Sequence, residues 1–288
     1  MKELHLNAYA KVNLALNVLQ KRDDGYHEVE TVLHTVVLHD LITLRESGDG
    51  IQVTTEGEPL PTGAANLVHR AATLLREQYA VQRPVEIEVK KRIPVAAGLG
   101  GGSADAAMTL MGLAQMWKLR LDGRELRALA ARLGSDVPFF FEGGAAVARG
   151  RGERVQPLPP LPSTWVVLAR PRIQVLTEWA YGQFQGAEVT RRPDVPALLD
   201  AIRRRDVPAV GRLLGNVFEE FITARHPIVA DLKARILRGE AYGAAMSGTG
   251  PTVFGLMANE AAAQRVADDL RSLPEVDVFV TRTFAEER

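Results

Sequence analysis

PVAAGLGGGSADAAMTL, residues 94–110, decides how this chain is read. Glycine occupies positions 98, 100, 101 and 102, and the composition then turns to Ala, Met and Leu. Glycines before a helix let the backbone approach a ligand that a Cβ would hold away. The free N–H groups of the next turn, together with the helix dipole, make an anion site. Ser103 and Ala104 are expected to open the helix, with the Ser103 hydroxyl capping it or touching a phosphate. Two familiar phosphate loops fail the comparison. A Walker loop ends in Gly-Lys-Ser or Gly-Lys-Thr, and no lysine occurs between 92 and 117. The dinucleotide fingerprint belongs to a first βαβ unit, whereas this stretch follows several antiparallel-looking segments and precedes two helices. A merely tight connection is the structural alternative, although one or two glycines suffice for that.

Upstream, residues 4–19 alternate: Leu4, Leu6 and Ala8, then Val12, Leu14, Leu16 and Val18, read as one or two strands. Asp24-Gly25 marks a turn, strands follow at 29–38 and 40–46, and GDGIQV reads as a hairpin. A helix is expected over 66–79 with Asn66 as its cap, and a strand over 85–91. Downstream, Ala106, Ala107, Leu110, Leu113, Ala114 and Trp117 share one broad apolar helix face, and a second helix runs from about Asp122 to Gly134. VQPLPPLPS, residues 155–163, holds four prolines in nine residues and marks the boundary between domains 1–158 and 159–288. Beyond it come a buried strand in TWVVLARP, helices near 194–204, 207–213 and 226–238, and two apolar strands around the glycine turn MSGTGPT (246–252). A helix at 259–272 and a strand at 276–283 complete an α+β half with a sheet covered by helices on one face.

Three charged or aromatic features stand in odd places. Lys11 shares a strand face with Asn13, opposite Val12 and Leu14. It is either on the solvated face of an edge strand or a fixed cation able to stabilise developing negative charge. Asp136, before Val-Pro-Phe-Phe-Phe, either closes a turn with Gly134 and Ser135 or sits at a cleft rim where it accepts a hydroxyl proton. Tyr26 and His27 suit a flat, hydrogen-bonding ligand, and a plain surface turn explains them about as well.

The totals set the outer limits. A chain of 288 residues, 46% hydrophobic and 24% charged, can bury one large α/β domain or two ordinary ones. Lys+Arg and Asp+Glu are equal at 35 each, which gives no support to a nucleic-acid footprint. No cysteine is present, so disulfides, thiolate nucleophiles and Cys-ligated metals are excluded. No apolar run approaches the ~20 residues that span a bilayer, and the start lacks a signal peptide's pattern. A cytoplasmic protein without membrane partners is expected, monomeric or a weak homodimer.

AYAKVNLALNV, DGYHEVET, PVAAGLGGGSADAA, GSDVPFFFEGGAAVARGRGE and MSGTGPTVF, in this order, resemble the GHMP kinase superfamily over nearly the full length. Lys11 with Asn13, the Gly-Tyr-His turn and Gly-Ser-Asp-Val-Pro point within it to the branch with a cytidyl substrate. The resemblance implies an α+β, two-domain fold: an N-terminal ribosomal-protein-S5-like domain, a C-terminal ferredoxin-like α/β sandwich, and an active site in the cleft between them. It implies ATP-dependent phosphorylation of the 2-hydroxyl of 4-diphosphocytidyl-2-C-methyl-D-erythritol, in the non-mevalonate route to isoprenoid precursors. By the same resemblance Asp136 is the catalytic base and Lys11 its positioning or activating partner. Pro94, Val95, Ala96, Ala97, Gly98, Leu99, Gly100, Gly101, Gly102, Ser103 and Ala104 wrap the ATP phosphates. Asn13, Tyr26 and His27 bind substrate, and either Trp179 or Tyr181 covers the cytosine. Mg²⁺ is carried with ATP, and no protein ligand to it is assigned. Many superfamily members carry Gly-Leu-Gly-Ser-Ser where this chain has Gly101 and Gly102, which leaves a serine ligand for the metal in doubt. The rivals are a homoserine, mevalonate or sugar kinase of the same superfamily, a nucleotide-binding regulator without turnover, and an RNA-binding protein.

Overall fold

A computed structural model describes residues 3–184 and 189–285. The chain forms two compact units that interleave in sequence. Met1–Ala10, Leu38–Val95 and Gly100–Glu142 make the first, and Lys11–Val37, Ala96–Leu99 and Gly143–Arg288 the second. Strands β1 (Glu3–Lys21) and β2 (His27–Arg45) contribute residues to both.

In the first unit, Leu41–Arg45 of β2 pair antiparallel with β4 (Val85–Lys90), and β3 (Ile51–Glu56) runs parallel to β4 from Ile51↔Val85 to Glu56↔Lys90. Helix α1 (Leu67–Gln78) is the crossover that two parallel strands require. Its start is set by Asn66, whose side chain accepts from Val68 N–H at 2.9 Å. Helix α3 (Gly123–Leu133) opens on a capping box: Asp122 accepts from the Arg124 and Glu125 amides, and Glu125 reaches back to the Asp122 amide. Helix α2 (Gly101–Met116) is buried on nearly every side, Ala104, Ala106, Ala107, Leu110 and Leu113 included. It is therefore a core helix, with each buried leucine contributing roughly 1.5–3 kcal/mol.

In the second unit, β1 and β2 form a hairpin closed by Arg22 N–H to the Tyr26 carbonyl at 2.8 Å. A two-residue strand, β8 (Gly215–Asn216), runs parallel to β1 at Ala15–Leu16. On β2 lies β5 (Ala145–Gly150), and on β5 lies β6 (Arg154–Leu158), an edge strand that tolerates Pro157. Four more strands, β7 (Trp165–Pro171), β9 (Ala241–Met246), β10 (Val253–Met257) and β11 (Val276–Arg282), form an antiparallel sheet in the order β11-β7-β10-β9. Helices separate the first strand from the second and the third from the fourth, which is the expected ferredoxin-like arrangement. Helices α8 (Pro227–Arg238) and α9 (Glu260–Arg271) place Val229, Leu232, Ile236, Val266 and Leu270 in one core with Val167, Met246 and Val253. The remaining helices are α4 (Thr177–Gln183), α5 (Val195–Arg203), α6 (Val207–Arg212) and α7 (Glu219–Arg225).

Three expectations change. Residues 29–38 and 40–46 belong to one strand, within which Asp40 is buried and accepts from the Arg92 and Ile93 amides and from Lys91. GDGIQV is not a hairpin: β4 occupies the edge of β2, so β3 takes the place beyond β4. Helix α2 begins at Gly101 rather than at Ser103. Gly100 turns the chain at φ 72° and accepts the first helical bond from Ala104, and Ser103 lies inside the first turn without capping it.

Candidate active site

The glycine stretch owes its path to two close approaches. Gly98 has φ 76°, and a Cβ there would lie 2.2 Å from the carbonyl oxygen of Ser247. A Cβ on Gly101 would lie 3.0 Å from Ile93 Cγ2 and 3.2 Å from Lys91 Nζ. Gly98 excludes a side chain for reasons of both space and conformation, whereas at Gly101 a Cβ would press on Ile93 and Lys91 and need them to give. The N–H groups of Gly101, Gly102 and Ser103 precede the first helical bond, from Ala104 to Gly100, and Gly102 is exposed. Pro94 to Leu99 lead into this helix end without regular structure, so residues 94–104 end in free donors at the positive pole of α2. An anion fits there.

Within the second unit, β1 delivers Lys11 and Asn13 to one buried cluster, at 2% and 3% exposure. The Lys11 ammonium donates to Asn13 Oδ1 at 2.7 Å and to the Gly98 carbonyl at 2.9 Å. Asn13 Nδ2 donates to Thr31 Oγ1 at 2.8 Å, and Thr31 donates on to the Ala15 carbonyl at 2.7 Å. Ser247 Oγ donates to the same Gly98 carbonyl at 2.8 Å and accepts from the Asn13 amide at 3.2 Å. Asn216 in turn donates to the Met246 and Gly248 carbonyls, both at 2.7 Å, and so holds the loop that carries Ser247. A buried ammonium held at a glycine loop can orient an anion or a hydroxyl there.

A second group in this unit is aromatic. His27 opens β2, and Tyr181, in α4, lies 5.3 Å from it with the rings tilted by 32°. Phe184 meets His27 edge-on at 5.9 Å, and Phe218 supports Tyr181 at 4.9 Å. Burial, and then the charge of Lys21, lower the His27 pKa below the ordinary histidine value, so its ring is neutral at pH 7. Tyr26 is 53% exposed, with the Arg151 guanidinium 4.8 Å above its ring. The turn that carries both is tied by Arg22 and Arg154 to Glu28. Trp179 stands apart from His27 in these contacts: its ring is covered by the Arg225 guanidinium at 4.8 Å.

Asp136 belongs to the first unit, where it precedes a 3-10 turn, Val137–Phe141. Its backbone carbonyl accepts from Phe139 N–H at 3.2 Å, and its partly exposed carboxylate makes no cap bond to that turn. Pro138, Phe139 and Phe140 are buried, which anchors the residue from one side. The same unit holds a group that sequence reasoning missed, Lys91 between Asp40 and Asp105, all of them buried. The lone aspartate in an otherwise apolar helix was its signal. Ser247 was legible only as a turn residue, since its acceptor lies 149 positions away. Among the described residues, no group of three or more His, Cys, Asp or Glu is placed to hold a metal, and no helix is long and apolar enough to cross a membrane.

Comparison with known proteins adds a family. Residues 66–144 match the GHMP kinases N terminal domain and residues 198–275 the GHMP kinases C terminal domain. The chain is 46% identical over 278 residues to the 4-diphosphocytidyl-2-C-methyl-D-erythritol kinase of Pelotomaculum thermopropionicum, covering 96% of each protein. It is 43% identical over 274 residues to the enzyme of the same name from Alkaliphilus metalliredigens, covering 95% of this chain and 94% of that one. A crystal structure of 4-(cytidine 5'-diphospho)-2C-methyl-D-erythritol kinase superposes with a TM-score of 0.84 at 34% identity, over 98% of this chain and 100% of the other.

Proposed function

The chain belongs to the GHMP kinases and, within them, to the 4-diphosphocytidyl-2-C-methyl-D-erythritol kinases of isoprenoid synthesis, and from that membership we propose the reaction and the residues that carry it. The γ-phosphoryl group of ATP passes to the tertiary 2-hydroxyl of 4-diphosphocytidyl-2-C-methyl-D-erythritol, giving the 2-phosphate and ADP. The observation that carries this reading is the buried Lys11 ammonium, 2.9 Å from the carbonyl of Gly98 at the glycine loop.

Phosphoryl transfer asks a protein mainly for in-line positioning and for fixed charge where negative charge develops. Residues 94–104 hold the ATP phosphates against the free amides of α2. Mg²⁺ carried with ATP would supply charge neutralisation at the phosphates, and no residue of this chain is assigned as its ligand. Lys11 orients the acceptor hydroxyl, with Asn13 holding substrate beside it. Asp136 takes the hydroxyl proton as the oxygen attacks phosphorus, and the bond to ADP breaks as the new one forms. Neutral His27 reads the cytosine edge beside Tyr26. Tyr181 is the better of the two aromatic candidates for the base, since it already lies against His27 while Trp179 is covered by Arg225. We assign residues 1–158 to the ATP-binding domain, 159–288 to the C-terminal domain, and the reaction to the cytoplasm.

The test is ADP release with Mg·ATP, run in parallel on 4-diphosphocytidyl-2-C-methyl-D-erythritol, homoserine and mevalonate, with ³¹P NMR of the product. Turnover on the first alone, with a new phosphomonoester signal beside an intact diphosphate, is expected. Turnover on another acceptor overturns the substrate assignment and leaves the family in place.

A further inference from the structure

Lys91, Asp40 and Asp105 put two carboxylates and one ammonium into the interior of the first unit, with side chains 2%, 0% and 0% exposed. Their partners are unequal. Asp40 accepts from Lys91 and, through Oδ1, from the Arg92 amide at 2.5 Å and the Ile93 amide at 2.9 Å. Asp105 accepts from Lys91 at 2.8 Å through Oδ2, while its buried Oδ1 has no hydrogen-bond partner among the described residues. Lone buried charge is costly, so the carboxyl with fewer donors is the one that keeps a proton. Burial first, and then the nearby Asp40 charge, push the Asp105 pKa up to about 7 against the pull of Lys91. Near neutral pH the Asp105 carboxyl therefore stands between its protonated and ionised forms.

Its position matters more than its charge. Gly101 and Asp105 are one turn apart on α2, and Lys91 Nζ lies under that turn, 3.2 Å from the point where a Gly101 Cβ would be. Asp40 fixes the amides of residues 92 and 93 at the entrance to the glycine stretch, and Lys91 joins that anchor to the helix. We infer that Asp105 is a positioning residue for the phosphate loop: through Lys91 it registers the first turn of α2 against residues 91–93, so that the amides of Gly101, Gly102 and Ser103 face the anion. An apolar contact fills space as well and sets register less strictly. This inference rests on residues 94–104 being the nucleotide site.

The experiment compares wild type, Asp105→Asn, Asp105→Leu and Lys91→Met. Calorimetry gives Kd for Mg·AMP-PNP, steady-state kinetics give KM for the acceptor, and all are run well below each protein's unfolding midpoint. Asparagine keeps a neutral acceptor for Lys91, so its constants stay within twofold of wild type. Asp105→Leu and Lys91→Met weaken Mg·AMP-PNP at least fivefold, with the acceptor KM within twofold. Asp105→Leu decides the matter alone if Lys91→Met does not fold. Unchanged nucleotide affinity in Asp105→Leu, or an Asp105→Asn defect as large as that of leucine, overturns the inference. Hydrogen exchange on the wild type separates the premise: if Mg·AMP-PNP does not protect residues 94–104, the phosphate-loop reading fails and the inference with it. Protection together with an unaltered Asp105→Leu affinity removes the inference alone.

Discussion

Ser247 Oγ lies 2.8 Å from the carbonyl oxygen of Gly98, the same oxygen that receives the Lys11 ammonium. A serine in the last third of the chain thus helps to shape the loop assigned to ATP. Ser247→Ala leaves the buried Asn13 amide without this acceptor and loosens Gly98, at a cost of about 1–2 kcal/mol. We expect KM for ATP to rise roughly fivefold to tenfold, with the thermal midpoint a few degrees lower. Gly98→Ala is expected to be worse, since its Cβ meets the Ser247 carbonyl at 2.2 Å in a left-handed backbone. Titration with Mg·AMP-PNP checks both, and wild-type affinity in Gly98→Ala contradicts the loop assignment.

Asp136 precedes its 3-10 turn without capping it, and asparagine keeps the size of its side chain while removing the charge. Asp136→Asn is expected to fold and to bind both substrates with affinities within a few-fold of wild type. As the proposed base, its loss lowers kcat on the order of 10²–10⁴-fold. Single-turnover measurements separate this from slow product release. A kcat within a few-fold of wild type removes Asp136 from the chemistry.

His27 is neutral at pH 7 because burial opposes its charging, so the ring offers one donor and one acceptor to a base edge. Acidification below the ordinary histidine range charges it and spoils that pattern. KM for the cytidyl substrate is expected to be flat at and above neutral pH and to rise as the pH falls below the ordinary histidine range. His27→Ala should raise that KM tenfold or more and remove the acid rise, with KM for ATP unchanged. Tyr181→Ala should do likewise without altering the pH profile, and Trp179→Ala should do little. A larger loss in Trp179→Ala than in Tyr181→Ala reverses the choice between the two rings.

Local signals in the sequence are legible where the physics is local. Asn66 and Asp122 announce α1 and α3 because a cap needs only its own next three residues. Alternation located β1, and the glycine run located the start of α2 to within two residues. Features with distant partners are not legible in this way. Which strand β3 pairs with depends on β4 already occupying the edge of β2, and no feature of residues 48–53 carries that information. The continuity of β2 through residue 39 is likewise not local, because the buried Asp40 beside it is satisfied by Lys91 and two amides some fifty residues later. Lys11, Asn13 and the glycine stretch were legible as candidates, but their junction at the Gly98 carbonyl was not, because it is made by tertiary contact.

His34, fully buried in the second unit, makes the acid stability of the protein testable. Its Nδ1 donates to the Thr35 carbonyl at 2.8 Å and its Nε2 accepts from the Leu161 amide at 3.0 Å, which requires the neutral ring. Burial lowers its pKa from 6.5 to about 4. In the unfolded chain the ring protonates near 6.5, so between that pH and 4 the unfolded state binds the extra proton. Stability from this residue is thus fully present above pH 6.5 and drains away as the pH falls toward 4, by a total of about 3 kcal/mol. His34→Gln is expected to be less stable at pH 7 by about 1–3 kcal/mol, because the two bonds are imperfectly replaced. From pH 7 to 4.5 the variant should lose less stability than wild type, and the two curves should converge. Urea unfolding at four pH values in that range measures the difference, in which the other titrating groups cancel. Parallel curves would mean that His34 protonates in the folded protein as readily as in the unfolded chain, and the bond from the Leu161 amide would then have to be abandoned.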